Sequence, residues 1–267
     1  MKRILSIQDL SCVGKCSLTV ALPVLSAQGI TCSVLPTAVL STHTAFPKPE
    51  VVDLTDRLAA FARHWQENGV HFDAVSVGYL SDPEQAAIVG GILDEIGSPV
   101  VLDPVMGDHG RLYSRITPEH IGALKALAAR ADVLLPNLTE AAAMTGLPYR
   151  QTTDEAYLSA LTEGLLDLGA KAVVITGVHW QDNAIGFYGR AQGGAAFSYE
   201  GAYVPRQLHG TGDLFAAVLS GQLLKGKTLS EAAAAAAEFV RACVENTPEV
   251  TPHGVEFETQ LYRLWEM

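Results

Sequence analysis

The sequence predicts an α/β fold in three layers, αβα, around a mostly parallel central sheet with an antiparallel edge. Three observations carry that prediction. Short β-branched runs alternate with longer amphipathic stretches along nearly the whole chain. The runs are apolar at successive positions, as in parallel strands covered on both faces. Residues 183–205 break the alternation, with short strands separated by Gly-rich turns, the pattern of an antiparallel edge.

Taken in order, the strands are expected at 3–8, 31–39, 74–78, 100–102, 133–135 and 171–176. Strand–helix alternation of this kind makes right-handed crossovers and covers both sheet faces with helices. Several helices announce their starts. Ser81-Asp82-Pro83 and Thr117-Pro118 each set a capping side chain before a first-turn proline. Asn137-x-x-Glu140 and Thr228-x-x-Glu231 fit capping boxes, the second ahead of six alanines at 232–237. Residues 154–168 are amphipathic and run into Gly169, a helix stop. No repeat, linker or low-complexity stretch divides the chain, so one domain over residues 1–267 is expected.

Composition narrows the function. Apolar residues make up 48% and charged residues 18% of 267, a globular rather than disordered balance. The formal charge is −11 with no Lys/Arg cluster, which disfavours nucleic acid and anionic membranes as partners. Met1-Lys2-Arg3 leads straight into a short strand with Gln8 and Asp9 in it, which does not suit a signal peptide, and no apolar run approaches membrane-spanning length. The four cysteines Cys12, Cys16, Cys32 and Cys243 suggest no disulfide framework. A cytoplasmic address is expected.

The turn after the first strand reads QDLSCVGKCS, which lacks a dinucleotide fingerprint. Gly14-Lys15 is not a P-loop, because Asp9 stands where the leading glycine belongs and Cys16 follows the lysine. The informative stretch is HGTGDLFAAVLSG at 209–221. Gly210, Thr211 and Gly212 can bunch backbone N–H groups at the positive end of the helix expected at 214–224, which makes an anion site. The plainer reading is a tight turn with Thr211 as N-cap and Asp213 as a first-turn acid. The motif DPVMGDHG at 103–110 puts Asp103 directly after a strand, and PNLTE at 136–140 supplies Asn137 and Glu140 after another. Acids gathered at strand carboxyl ends beside an anion cradle suit a magnesium–polyphosphate site.

With those motifs in order, the chain resembles the vitamin kinases of the ribokinase superfamily, and most closely the pyridoxal/pyridoxamine kinases, over essentially its whole length. SIQDLSCVG is similar to the family's first strand and substrate turn, STHTAF at 41–46 to its Ser-Asn-His-Thr segment, and GYLSD at 78–82 to its Gly-Tyr-Leu-Gly; DPVMG, PNLTE and GTGD match the nucleotide site. The resemblance implies a ribokinase-like fold and ATP-dependent phosphorylation of the 5-hydroxymethyl group of a B6 vitamer. It makes Asp213 the catalytic base and Gly210, Thr211 and Gly212 the anion hole. Asp103 and Glu140 would act through Mg²⁺ and water, with Asn137 beside them, and Thr176 would contact the nucleotide phosphates. Tyr203 and Val204 would line the adenine pocket, while His43, Thr44 and Tyr79 would surround the pyridine ring. A homodimer is implied as well; a monovalent-cation requirement is left open.

Departures from the family pattern fall in the first turn, at Thr176 and in the lid. Asp9 replaces a common serine, and would pair with a protonated ring nitrogen or an amine, or else cap the next helix. Lys15, Cys12 and Cys16 differ too, Thr176 replaces a frequent lysine, and the lid DHGRLY is short, with His109 either closing over phosphates or simply solvated. Hydroxymethylpyrimidine kinase is the runner-up, although its Gly-rich first turn is lacking here. A sugar kinase would need a longer chain, and a non-catalytic B6 binder would have little use for Asp213.

Overall fold

A computed structural model gives the structure of the chain and describes every residue except 152, 182, 249, 250, 252 and 266. In chain order the elements are β1 (Arg3–Ser11), α1 (Leu18–Ala27), β2 (Thr31–Leu40), β3 (Val51–Asp53), α2 (Thr55–Glu67), β4 (Ala74–Val77) and α3 (Pro83–Ile96). They continue with β5 (Val100–Leu102), β6 (Gly107–Asp108), β7 (Arg111–Leu112), α4 (Pro118–Ala128), β8 (Val133–Leu134), α5 (Leu138–Thr145) and α6 (Glu155–Leu166). The chain finishes with β9 (Ala172–Gln181), β10 (Ala184–Ala191), β11 (Ala196–Ala202), α7 (Thr211–Leu224), α8 (Leu229–Asn246) and a 3₁₀ turn, Glu258–Leu264.

Among these residues a nine-stranded sheet runs in the order β11-β10-β9-β8-β5-β4-β1-β2-β3. Every pairing from β9 through β2 is parallel. β10 and β11 form the expected antiparallel edge. The other edge is antiparallel too, through β3 on β2. No signal in the residues marks that second edge, because three exposed residues hold no period to read.

Successive strand residues serve opposite cores, as a two-residue period requires. Leu5, Ile7, Val75 and Val77 pack with residues of α2 through α6, while Ile4, Ala74 and Val101 pack with α1, α7 and α8. α7 is buried from Leu214 through Gln222, an apolar cylinder between neighbours rather than an amphipathic surface helix. Each fully buried aliphatic or aromatic side chain contributes roughly 1.5–3 kcal/mol, so these two cores hold the strand ends in place.

The helix starts follow the side-chain chemistry. Asp82, Thr117 and Asp154 each accept a hydrogen bond from a first-turn amide of α3, α4 and α6. Both capping boxes are formed, at Asn137–Glu140 and Thr228–Glu231. α7 differs: its N-cap is Gly210 in the left-handed region, φ 88°, and not Thr211. A Cβ at Gly210 would run into the Lys15 carbonyl, so only glycine brings the chain through here.

Candidate active site

The carboxyl ends of the parallel strands converge, with α7's N-terminus, on one cleft, where an open α/β sheet presents ligand sites. β1 delivers Asp9, β5 is followed at once by Asp103, and β8 leads into Asn137 and Glu140. At Asp9 the β1–β2 register slips: Gln8 pairs with Pro36 but Leu10 with Val39. Such a bulge re-aims a side chain at a strand end.

Gly210 opens α7, and the Leu214 amide closes back on the Gly210 carbonyl at 3.0 Å. Among the described residues none accepts a hydrogen bond from the Thr211 or Gly212 amide. Two donors at the positive end of a 14-residue helix therefore face the cleft. Gly212 also lies against Asp103, whose Oδ2 would be 3.7 Å from a Cβ at that position.

Asp213 follows in the first turn. Its carboxyl is pushed up to about 6, first by burial and then by the charge of Asp9, against hydrogen bonds from the Ser17 amide and its own. Asp103 is raised further by burial, by Glu140 and by Asp213. Glu140 is 3% exposed and is pushed up to about 8 by burial, against amides that stabilise its charge. Those amides are Asn137 N at 2.8 Å and Met106 N at 3.0 Å. Both Glu140 oxygens are thus engaged, whereas no protein donor reaches the Asp103 carboxyl among the described residues. This donor set fits a hydrated cation held between Asp103 and bound phosphates, with Glu140 one layer out. Behind Asp103 and Asp213 a cavity of about 10 Å³, lined also by Gln8 and Ser76, has room for one water.

α5's N-terminus also fixes the lid. The Asn137 amide donates to the Gly107 carbonyl at 2.8 Å while its oxygen caps Thr139 N and Glu140 N. The Gly110 amide donates to Thr139 Oγ1 at 2.8 Å. The lid is therefore a hairpin, β6 and β7, seated on α5. His109 at its tip has φ 50° and an exposed ring 3.4 Å from Asp108. Thr176 is tied to the same place, its amide donating to the Pro136 carbonyl at 2.9 Å.

A second group gathers around Asp9. Asp9 is 4% exposed and accepts from Ser17 Oγ at 2.5 Å and Ser11 Oγ at 3.1 Å. Its pKa is raised by burial against those hydroxyls. His43 is buried, takes the Ala45 amide on Nδ1 at 3.2 Å, and its ring centroid lies 5.2 Å from that of His209. A Cβ on Gly14 would collide with the His43 ring. Tyr79 is half-buried, its phenol raised by burial and by Asp9 against Arg115. Thr44, next to His43 in the chain, is exposed. Tyr203 and Val204 are apart from this group: the Tyr203 ring meets His179 edge-on at 4.8 Å, and the Val204 carbonyl accepts from the Arg206 amide at 2.7 Å. His179 is lowered chiefly by burial.

Two first-turn residues take structural or site roles. Lys15 pairs with Glu258 at 2.8 Å. The Cys16 thiol is pushed up to about 12 by burial and by Asp213, which keeps it neutral beside that carboxyl. Sequence reasoning missed Ser17, Ser11, His209 and Tyr113. Tyr113 is 48% exposed, yet its phenol is raised by burial and by Glu140, Asp108, Asp103 and Asp213, so its hydroxyl end lies over the acids. The only sequence signal for the serines was their closeness to an acid in the first turn.

A family model described as phosphomethylpyrimidine kinase matches residues 25–257. A hydroxymethylpyrimidine/phosphomethylpyrimidine kinase of Bacillus subtilis is 35% identical over 179 residues, 66% of this chain and 64% of its own length. A pyridoxine/pyridoxal/pyridoxamine kinase of Bordetella pertussis is 31% identical over 267 residues, covering 92% of this chain and 89% of its own. The crystal structure of pyridoxal kinase from Lactobacillus plantarum superposes with a TM-score of 0.91 at 34% identity, over 100% of this chain and 97% of that one.

Proposed function

The chain belongs to the phosphomethylpyrimidine kinase family of the ribokinase-like superfamily, and on that premise we propose that it phosphorylates the 5-hydroxymethyl group of a B6 vitamer at the expense of ATP. One observation carries the reading: the Asp213 carboxyl stands in the first turn of α7 next to the unclaimed Thr211 and Gly212 amides, facing a pocket that already holds Asp9.

Asp213 accepts the hydroxymethyl proton, the freed oxygen forms a bond to the γ-phosphorus, and the β–γ bridging bond breaks to release ADP. Phosphoryl transfer asks the protein mainly for positioning and charge stabilisation. The Thr211 and Gly212 amides supply the second, since donors fixed at a helix terminus need not reorganise as charge moves onto the transferred group. A base raised to about 6 is ionised at neutral pH and close enough in affinity to receive a proton. Asp103 would hold a hydrated Mg²⁺, with Glu140 orienting its waters; the ion supplies neutralising charge at the phosphates. Thr176, Asn137, Tyr203 and Val204 border the nucleotide side, and His43, Tyr79 and Asp9 the vitamer side, with Thr44 at the rim.

The vitamer reading is supported by the end-to-end match to the Bordetella enzyme, against a match to 64% of the Bacillus one. Hydroxymethylpyrimidine phosphorylation remains the second reading, favoured by the 35% identity to that Bacillus kinase. A homodimer and a cytoplasmic address complete the proposal. Among the described residues no helix is long and apolar enough to cross a membrane.

The test is ADP release measured with pyridoxal, pyridoxamine, pyridoxine and hydroxymethylpyrimidine. Turnover of a B6 vitamer at a kcat/KM about tenfold or more above hydroxymethylpyrimidine is expected. Turnover of hydroxymethylpyrimidine alone would replace the first reading with the second.

A further inference from the structure

Ser17 joins two acids. Its hydroxyl donates to Asp9 Oδ1 at 2.5 Å, and its amide lies close enough to the Asp213 carboxyl to favour the charged form. It does so with φ 50° and ψ −128° at the start of α1, a conformation strained for a serine that persists only where the surroundings impose it. Ser11 Oγ holds the other Asp9 oxygen at 3.1 Å. Asp9 therefore has both oxygens fixed by neutral hydroxyls, is 4% exposed, and is paired with no lysine or arginine among the described residues. Its charged neighbour is instead the base itself, whose proton affinity it raises.

Two carboxylates tied to one residue in a partly dry cleft create a demand for positive charge that no described side chain meets. On the reading above, the substrate hydroxymethyl group sits at Asp213. In a B6 vitamer the nearest ring substituent to that group is the one on the adjacent carbon, C4, and the ring nitrogen is farther round. We propose that Asp9, held by Ser11 and Ser17, is the group that recognises the C4 substituent and selects its cationic form, the aminomethyl ammonium of pyridoxamine, over the aldehyde of pyridoxal and the hydroxymethyl of pyridoxine. The ammonium donates to the Asp9 oxygen, neutralises the paired acids, and leaves Asp213 its full capacity to take the hydroxyl proton. The ring nitrogen lies on the other flank of the hydroxymethyl-bearing carbon, one ring atom farther off than C4, so C4 carries the substituent nearest to the pair of acids.

This inference rests on the B6-kinase reading. Steady-state kinetics of the parent and of Asp9→Asn with all three vitamers and hydroxymethylpyrimidine test both. The parent is expected to favour pyridoxamine by about tenfold or more in kcat/KM. Asp9→Asn keeps the shape and the serine partners, and is expected to lose about ten- to hundredfold more in kcat/KM for pyridoxamine than for pyridoxal or pyridoxine, mainly in KM. Calorimetric binding of pyridoxamine against pyridoxine to the parent chain reads the same preference without any variant. Equal losses for all three vitamers in Asp9→Asn, or a parent with no pyridoxamine preference, would overturn the assignment of Asp9 while leaving the kinase reading intact. A parent that phosphorylates hydroxymethylpyrimidine and no vitamer would overturn the B6-vitamer reading itself.

Discussion

Asp213 is expensive where it stands. Burial and Asp9 push its carboxyl from 3.8 to about 6, so the folded chain binds this proton more tightly than the unfolded chain does. Stability from this group is therefore lost as pH rises from about 4 through about 6 and stays lost above that. The penalty is on the order of 1–2 kcal/mol after allowing for water access to the cleft. Asp213→Asn removes both the penalty and the base. We expect kcat to fall by roughly 10²–10⁴, with nucleotide and vitamer binding retained, and the thermal midpoint to rise at pH 8 by an increment that fades near pH 4. In the parent, kcat/KM should climb with pH through about 6 as the base loses its proton. A variant that loses activity and stability together would show the residue to be structural. Site residues of this kind were legible wherever chemistry sits in a motif, as in GTGD and DPVMG. Ser17 was not, because nothing in a serine's identity announces a positive φ, and Tyr113 was not, because a lone aromatic in a short lid carries no period or spacing.

The helices and strands were easier to read than the loops between them. Capping side chains at Asp82, Thr117, Asn137, Asp154 and Thr228 act locally, so their helix starts follow from the residues alone. The buried strands were legible because two covered faces demand continuous apolar runs. β3 and the lid hairpin β6–β7 lack both signals: their strands are two or three residues long and mostly exposed. What the sequence did not reveal is that one capping box does two jobs. Asn137 caps α5 and also holds the lid by the Gly107 carbonyl, while Thr139 takes the Gly110 amide. Thr139→Val keeps the volume near-constant but deletes the acceptor. We expect the Gly110 amide to exchange with solvent about tenfold faster or more, and KM for ATP to rise about three- to tenfold with far smaller change in KM for the vitamer. Unchanged exchange at Gly110 would mean the hairpin is held by its backbone ladder instead.

At the scale of the molecule the puzzle is electrostatic. A chain of formal charge −11 gathers Asp9, Asp103, Glu140 and Asp213 at the strand ends that, on the proposed function, receive a polyphosphate. Buried acids raised by one another's charge repel such a ligand, and the local answer on the protein's side is two neutral amides at α7. Lys15, in the turn after β1, is engaged with Glu258. Thr176, where relatives often carry lysine, adds no positive charge. Binding of nucleotide must then lean on a divalent cation more heavily than in a site with its own lysine, because Coulomb repulsion in a cleft of reduced dielectric is several times its value in water. Titration calorimetry should find ATP binding weak without Mg²⁺ and tightened by about a hundredfold or more with it. Thr176→Lys should tighten ATP about tenfold in the absence of Mg²⁺, the worth of one charge-assisted hydrogen bond, and by much less once Mg²⁺ saturates. If Thr176→Lys leaves the Mg²⁺-free affinity unchanged, the strand end at Thr176 does not face the phosphates, and the nucleotide lies along a different wall of the cleft.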